Sequence, residues 1–132
     1  MKPVRVGICG LGTVGSGAVN ILTRNKDMIN ARSGCDISII QIAARRDNPN
    51  CNISGYKVTR DIFEVANNPD VDILVEVIGG TTVAKDLVLK AIANGKHIVT
   101  ANKALIAHHG NEIFAAAKAR GVTVAFEAAV AG

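Results

Sequence analysis

The sequence predicts an α/β domain, a doubly wound, mostly parallel sheet with helices on both faces. Three observations predict it. Short apolar segments rich in Val and Ile alternate with segments of helical spacing through the whole chain. These apolar segments are hydrophobic on both faces, as strands between two helix layers must be. Thirteen glycines in 132 residues fall largely where one kind of segment gives way to the next.

In order, residues 4–9 form a first strand, ending in a glycine-rich turn. Val14, Ala18, Ile21 and Leu22 then share one helical face, and that helix fades at Asn25 and Lys26. Ser33-Gly34 punctuates before a second strand over 37–44. A polar loop follows over 45–50, then a short third strand over 55–58. A brief helix over 61–66 is ended by Asn67-Asn68-Pro69. Residues 71–78 make the clearest strand, closed by Gly79-Gly80-Thr81. Ala84, Leu87, Val88, Ala91 and Ile92 mark a helix that Asn94-Gly95 stops. After a strand over 97–99, Asn102 caps a short helix over 103–107. Gly110 breaks that helix, a further one covers 112–120, and Gly121 leads into a last strand over 122–126.

Composition narrows the function classes. Apolar residues make up 48% and charged residues 20%, enough for one packed domain over 1–132 and too apolar for disorder. With no Trp, one Tyr and three Phe, the core must be aliphatic. The net charge of +4 comes from scattered lysines and arginines with few aromatics between them, which argues against nucleic-acid binding. Cys9, Cys35 and Cys51 are odd in number and lack C-x-x-C spacing, so neither a zinc site nor a disulfide framework is expected. Cys9 reads as a small core residue, and the thiols as those of a cytosol-like compartment. No apolar run approaches the ~20 residues that span a bilayer, and no signal peptide fits the N-terminus. A cytoplasmic protein without a membrane partner is expected. The small residues of 127–132 do not read as a usual polar tail, so the chain is expected to continue in a longer parent.

Gly10, Gly12 and Gly15 match G-x-G-x-x-G between a strand and a helix. The first glycine permits the tight turn, the second lets the backbone approach a diphosphate, and the third lets helix and strand pack closely. The following helix directs free N–H groups and its positive dipole end at the phosphates. In this context the motif over Gly10, Leu11, Gly12, Thr13, Val14 and Gly15 predicts a Rossmann-type dinucleotide site. A methyltransferase with a similar turn stays open. The second strand should end beside the adenosine ribose, where NAD-specific domains place an acid. Here it ends in Ala43-Ala44-Arg45-Arg46. Arg45 or Arg46 suits a 2′-phosphate by bidentate geometry, which favours NADP over NAD.

Three stretches go beyond a generic domain of this kind: Gly-Leu-Gly-Thr-Val-Gly-Ser-Gly over 10–17, Val-Glu-Val-Ile-Gly-Gly-Thr over 75–81, and Asn-Gly-Lys-His-Ile-Val-Thr-Ala-Asn-Lys-Ala-Leu over 94–105. Phe-Glu-Ala-Ala-Val-Ala-Gly over 126–132 is a fourth. Together they resemble the NAD(P)-binding domain of homoserine dehydrogenase, in register along essentially the whole chain. The resemblance implies interconversion of L-aspartate 4-semialdehyde and L-homoserine with NAD(P)H, in threonine and methionine biosynthesis. It also implies a substrate and dimerisation domain beyond position 132, and a homo-oligomer formed through it.

By the same resemblance, Lys103 lies on the nicotinamide and substrate side of the cleft. A cation in the first turn of a helix faces the positive dipole end, so the position needs an anionic neighbour or a functional reason. Gly79, Gly80 and Thr81 follow a strand at its carboxyl end, where open α/β sheets bind ligands. The resemblance puts them at the nicotinamide ribose; a tight turn with Thr81 as helix cap is compatible with that. Glu127, Val130 and Gly132 match positions that hold a monovalent cation, typically Na+, through one carboxylate and two carbonyls. His97 reads as structural. His108 and His109 read as surface residues near a helix end, without a third metal ligand. A related amino-acid-pathway dehydrogenase and a non-catalytic dinucleotide-sensing module stay open.

Overall fold

The computed structural model describes residues 2–10, 12–24, 26–45 and 56–126. Among the described residues, six parallel strands form one sheet: β1 (Lys2–Cys9), β2 (Cys35–Ala43), β3 (Lys57–Thr59), β4 (Ile73–Glu76), β5 (His97–Thr100) and β6 (Val124–Phe126). The helices are α1 (Thr13–Arg24), α2 (Lys26–Ser33), α3 (Ile62–Asn67), α4 (Thr82–Ala93) and α5 (Lys103–Arg120). Strand order is β3-β2-β1-β4-β5-β6. The chain thus winds outward from β1 in one direction, returns, and winds out in the other. This is the dinucleotide-binding order, with its reversal between β1 and β4.

The two winding directions give two cores. Val6, Ile8, Ile42, Ala44 and Val75 point to one face and meet Ala18 and Val19 of α1. Cys9, Ala43, Leu74 and Ile98 point to the other and meet α3, α4 and α5 through Val65, Leu87, Val88, Ile92, Leu105 and Ile113. Each fully buried aliphatic side chain stabilises by roughly 1.5–3 kcal/mol. The expected aliphatic core is present, with Cys9 inside it; burial, then the charge of Glu76, pushes its thiol well above the ordinary range. Register slips between Val6 and Gly7, which pair with Ile39 and Gln41. The extra residue, Ile40, lets Ile39 and Ile42 reach one face while Ile40 packs on the other.

Besides shifts of strand ends, such as β4 covering only Ile73–Glu76 of the expected 71–78, the structure departs from the sequence expectations at several points. Gly110 does not break a helix: α5 runs unbroken through it because Leu105, Gly110, Ile113 and Ala117 form one buried stripe. A methyl group at Gly110 would meet Ile106 and Phe114 only at ordinary contact distance, so the position does not require glycine, and the burial of the flanking stripe offsets the roughly 1 kcal/mol that glycine costs a helix. His108 and His109 therefore lie inside α5 rather than near a helix end. Second, α2 was not expected. Its Met28 is exposed, and it is held by polar contacts of buried Asn30, whose Oδ1 accepts from Ile37 N at 2.9 Å and whose Nδ2 donates to Asp36. Third, β6 starts at Val124 rather than 122. Gly121, at φ 78°, and Val122 donate N–H groups to Ala117 O and close α5, and Thr123 N donates to His97 Nδ1. His97 is structural in that sense.

Arg5 of β1 ties the loop before β4. Its backbone N–H and guanidinium donate to Asp72 at 2.9 and 3.3 Å. Partial burial pushes the Asp72 carboxyl up, but the hydrogen bonds and charge of Arg5 outweigh that and hold it below the usual carboxylate range. A carboxyl lowered in the folded state contributes stability that is present at neutral pH and lost as pH falls below about 4. Asp72→Asn should therefore lower the melting temperature at pH 7 and do so much less at pH 3. Equal effects at the two pH values would contradict this.

Candidate functional site

Because every strand is parallel, all carboxyl ends lie along one edge of the sheet, and the turns after β1, β4 and β5 meet there. The first is the glycine turn. Gly10 leaves β1 at φ 109°, a backbone that favours glycine, and donates its N–H to Ala43 O of β2 at 2.7 Å. A Cβ on it would stand 2.8 Å from Val77 O. Gly15 is buried in the first turns of α1, and a Cβ there would lie 1.9 Å from Gly10 O. Gly12 is different: it is exposed, and a Cβ on it would meet nothing within 4 Å. It would stand in the open space above the turn, the space a diphosphate needs to approach the backbone. No acidic residue lies in the first turn of α1, so the helix end keeps its positive character. Thr13 and Val14 give the backbone of that first turn; Leu11 is outside the described residues.

At the end of β2, Ala43 and Ala44 are buried and Arg45 is the first exposed residue. Arg46 lies outside the described residues. Ala44 is held on both sides: its N–H donates to Thr59 O, and its carbonyl accepts from Arg60 Nη1 at 3.0 Å. Arg60 thus brings a second guanidinium to the end of β2. Arg60 carries no motif; the available signal is a basic residue two positions past the expected third strand.

After β4, Gly79 and Gly80 take φ of 78° and 73° and are exposed. Thr81 occupies the N-cap position of α4 but makes no side-chain cap hydrogen bond, so its expected capping role is not realised. After β5, Asn102 is the cap expected of it: Oδ1 accepts from Leu105 N at 3.0 Å. Its Nδ2 donates to Gly80 O at 2.6 Å, which joins the two turns directly. Lys103, exposed, opens α5 beside that link. The structure therefore brings Gly80 and Lys103 together on the carboxyl edge. Glu127, Val130 and Gly132 lie outside the described residues, and among the described residues no cluster of metal-ligating side chains occurs.

Two polar groups at this edge were missed. Glu76 and Thr100 end β4 and β5, are fully buried, and hydrogen-bond each other at 2.7 Å. In Val-Glu-Val-Ile the acid reads as one residue of an apolar strand, and nothing in its spacing marks it. Elsewhere, a cavity of about 100 Å³ lined by Leu22, Thr23, Ile37 and Tyr56 is too small for a dinucleotide. Among the described residues, no helix is long and apolar enough to cross a membrane.

The turn's geometry gives a sharp expectation. A side chain at Gly15 must drive α1 away from the carbonyl of Gly10. Gly15→Ala should cost about 1–3 kcal/mol in urea denaturation, as overpacked buried sites do. A wild-type midpoint would show that the turn does not depend on this contact.

Comparison with known proteins gives the same picture. The sequence profile of the homoserine dehydrogenase NAD-binding domain matches residues 10–127. Homoserine dehydrogenase of Pseudomonas aeruginosa is 65% identical over 132 residues, which is 100% of this chain and 30% of that protein. The Bacillus subtilis homoserine dehydrogenase is 40% identical over 134 residues, 100% of this chain and 31% of its own length. Among solved structures, a homoserine dehydrogenase from Thiobacillus denitrificans superposes with a TM-score of 0.90 at 52% identity, over 98% of this chain and 30% of that one. A hyperthermophilic archaeal homoserine dehydrogenase in complex with NADPH, 23% identical, shares the fold at a TM-score of 0.76, over 96% of this chain and 44% of its own. The chain spans about 30% of the length of its bacterial relatives. It belongs to the family of homoserine dehydrogenase NAD-binding domains, whose cofactor is a nicotinamide dinucleotide.

Proposed function

We propose that this chain is the NAD(P)-binding part of an enzyme that interconverts L-aspartate 4-semialdehyde and L-homoserine, in threonine and methionine biosynthesis. Residues 1–132 form its nucleotide domain. The rest of the substrate site and a dimerisation domain belong to the remaining two thirds of the length seen in relatives. The reading assigns the protein to the cytoplasm as a homo-oligomer.

The observation that carries it is the hydrogen bond from Asn102 to Gly80 at 2.6 Å, which sets Lys103 beside the turn after β4 on the same edge as the glycine turn. The backbone of Gly10, Leu11, Gly12, Thr13, Val14 and Gly15 takes the diphosphate on the N–H groups of α1. Arg45 or Arg46 takes the 2′-phosphate, which makes NADP the preferred cofactor over NAD. Gly79, Gly80 and Thr81 border the nicotinamide ribose. The cofactor supplies the hydride. Lys103 stabilises the developing alkoxide, or relays the proton it takes up. Glu127, Val130 and Gly132 contribute a carboxylate and two carbonyls to a monovalent cation such as Na+.

Two measurements on the full-length protein test this. Arg45→Ala should weaken NADPH about tenfold, the scale of one lost charge-assisted hydrogen bond, and leave NADH unchanged by titration calorimetry. Equal effects on the two cofactors would remove the 2′-phosphate role. Lys103→Ala should lower kcat for homoserine oxidation by about a hundredfold or more while NADPH still binds. Turnover near wild type would exclude Lys103 from the chemistry.

A further inference from the structure

Glu76 and Thr100 are neighbours in register at the carboxyl ends of β4 and β5. Both Glu76 oxygens are taken by neutral donors: Oε1 accepts from Thr100 Oγ1 at 2.7 Å, and Oε2 accepts from Ile78 N at 2.9 Å. The Thr100 oxygen also accepts from Asn102 N at 3.0 Å. A hydroxyl has one hydrogen, so accepting from Asn102 leaves that hydrogen for Glu76. Asn102 then donates to Gly80 O at 2.6 Å and accepts from Leu105 N. The contacts run Ile78, Glu76, Thr100, Asn102, Gly80. They start and finish in the turn after β4 and pass through the N-cap of α5, forming a closed ring.

Burying a carboxyl group in an aliphatic sheet is costly, and a well-packed apolar residue would fill the same space without that cost. What an apolar residue could not supply is two acceptors, one for each arm of the ring. We propose that Glu76 is a positioning residue for the reaction. Through Thr100 and Asn102 it fixes the Gly79–Gly80 turn against the start of α5, and so sets where the Lys103 ammonium stands relative to the nicotinamide end of the cofactor. This rests on the function proposed above. Glu76 itself touches no reacting atom; its effect passes through geometry, and small misplacements of reacting groups have large kinetic effects.

The test uses full-length protein and compares Thr100→Val, which removes the hydroxyl at nearly constant shape, with Thr100→Ser, which keeps it. Glu76→Gln replaces one acceptor by a donor facing Thr100 or Ile78. We expect Thr100→Val and Glu76→Gln to lower kcat about tenfold or more, with NADPH affinity within about threefold, because the diphosphate turn is untouched. Thr100→Ser should restore turnover to within about twofold of wild type. In ligand-free protein, the Ile78 and Asn102 amides should exchange faster in the Val and Gln variants and not in the Ser variant. Should the buried variants fail to fold, Asn102→Ser keeps a helix cap but cannot reach Gly80, and should lower kcat in the same way.

Wild-type turnover in folded Thr100→Val or Asn102→Ser would overturn the proposal. So would an equal loss in the Val and Ser variants, because the hydroxyl would then not matter. A wild-type protein that neither binds NADPH nor oxidises homoserine would defeat the functional reading itself, a result distinct from either.

Discussion

Gly15 packs on the carbonyl of Gly10 so closely that even a methyl group would have no room. That contact fixes where α1 begins relative to the end of β1, and the rest of the carboxyl edge is built outward from it. Gly10 is itself pinned by its N–H on Ala43 and by Val77 behind it. The turn therefore links β2, β1 and β4 across the point where the strand order reverses. A crevice at that point is a property of the winding, and the glycines decide that its floor is bare backbone.

The remainder of the edge is held by different means. Among the described residues, no buried side-chain polar atom lacks a hydrogen-bond partner. The buried polar groups join loops rather than fill space. Gln41 bonds Glu64 and Asn68, drawing α3 onto β2. Lys96, buried, donates to the carbonyls of Asn68 and Val71, and desolvation pushes its ammonium below the ordinary lysine range. Glu76 and Thr100 do for the carboxyl edge what Lys96 does for the loop leading into β4. Apolar contacts supply most of the stability, but they are non-directional. Hydrogen bonds are directional, and they set the relative placement of turns that carry no core residues of their own.

What the sequence disclosed follows from this division. Aliphatic periodicity and glycine punctuation gave the alternation, the parallel sheet and the strand-to-helix turns. Gly10, Gly79, Gly80, Gly95 and Gly121 all take positive φ where a boundary was expected. Gly110 misled because a glycine letter does not distinguish a break from a tolerated position; the buried stripe of Leu105, Ile113 and Ala117 decides that. The helix α2 was hidden for the opposite reason, since Asn30 anchors it by hydrogen bonds that leave no apolar period. Glu76 was hidden because its side-chain partner, Thr100, comes from another strand. Arg60 escaped notice because its partner Ala44 lies on a neighbouring strand.

Lys103 shows how far local rules reach. Elsewhere α5 obeys them: Asn102 caps its start, Gly121 closes it in the left-handed conformation, and Lys118 and Arg120 sit in the last turn, where the helix end is negative. The first turn contains no acid. A lysine at that position is a cation at the positive end, unfavourable by roughly 0.3–1 kcal/mol. Such a cost is small enough for a fold to carry and large enough to mark one residue out. Local rules broken without local compensation concentrate where a chain does chemistry. The two ends of the crevice are then governed by separate physics: exposed arginines at the end of β2, and a hydrogen-bonded ring rooted in buried Glu76 and Thr100 beside the start of α5. Changes at one end need not disturb the other.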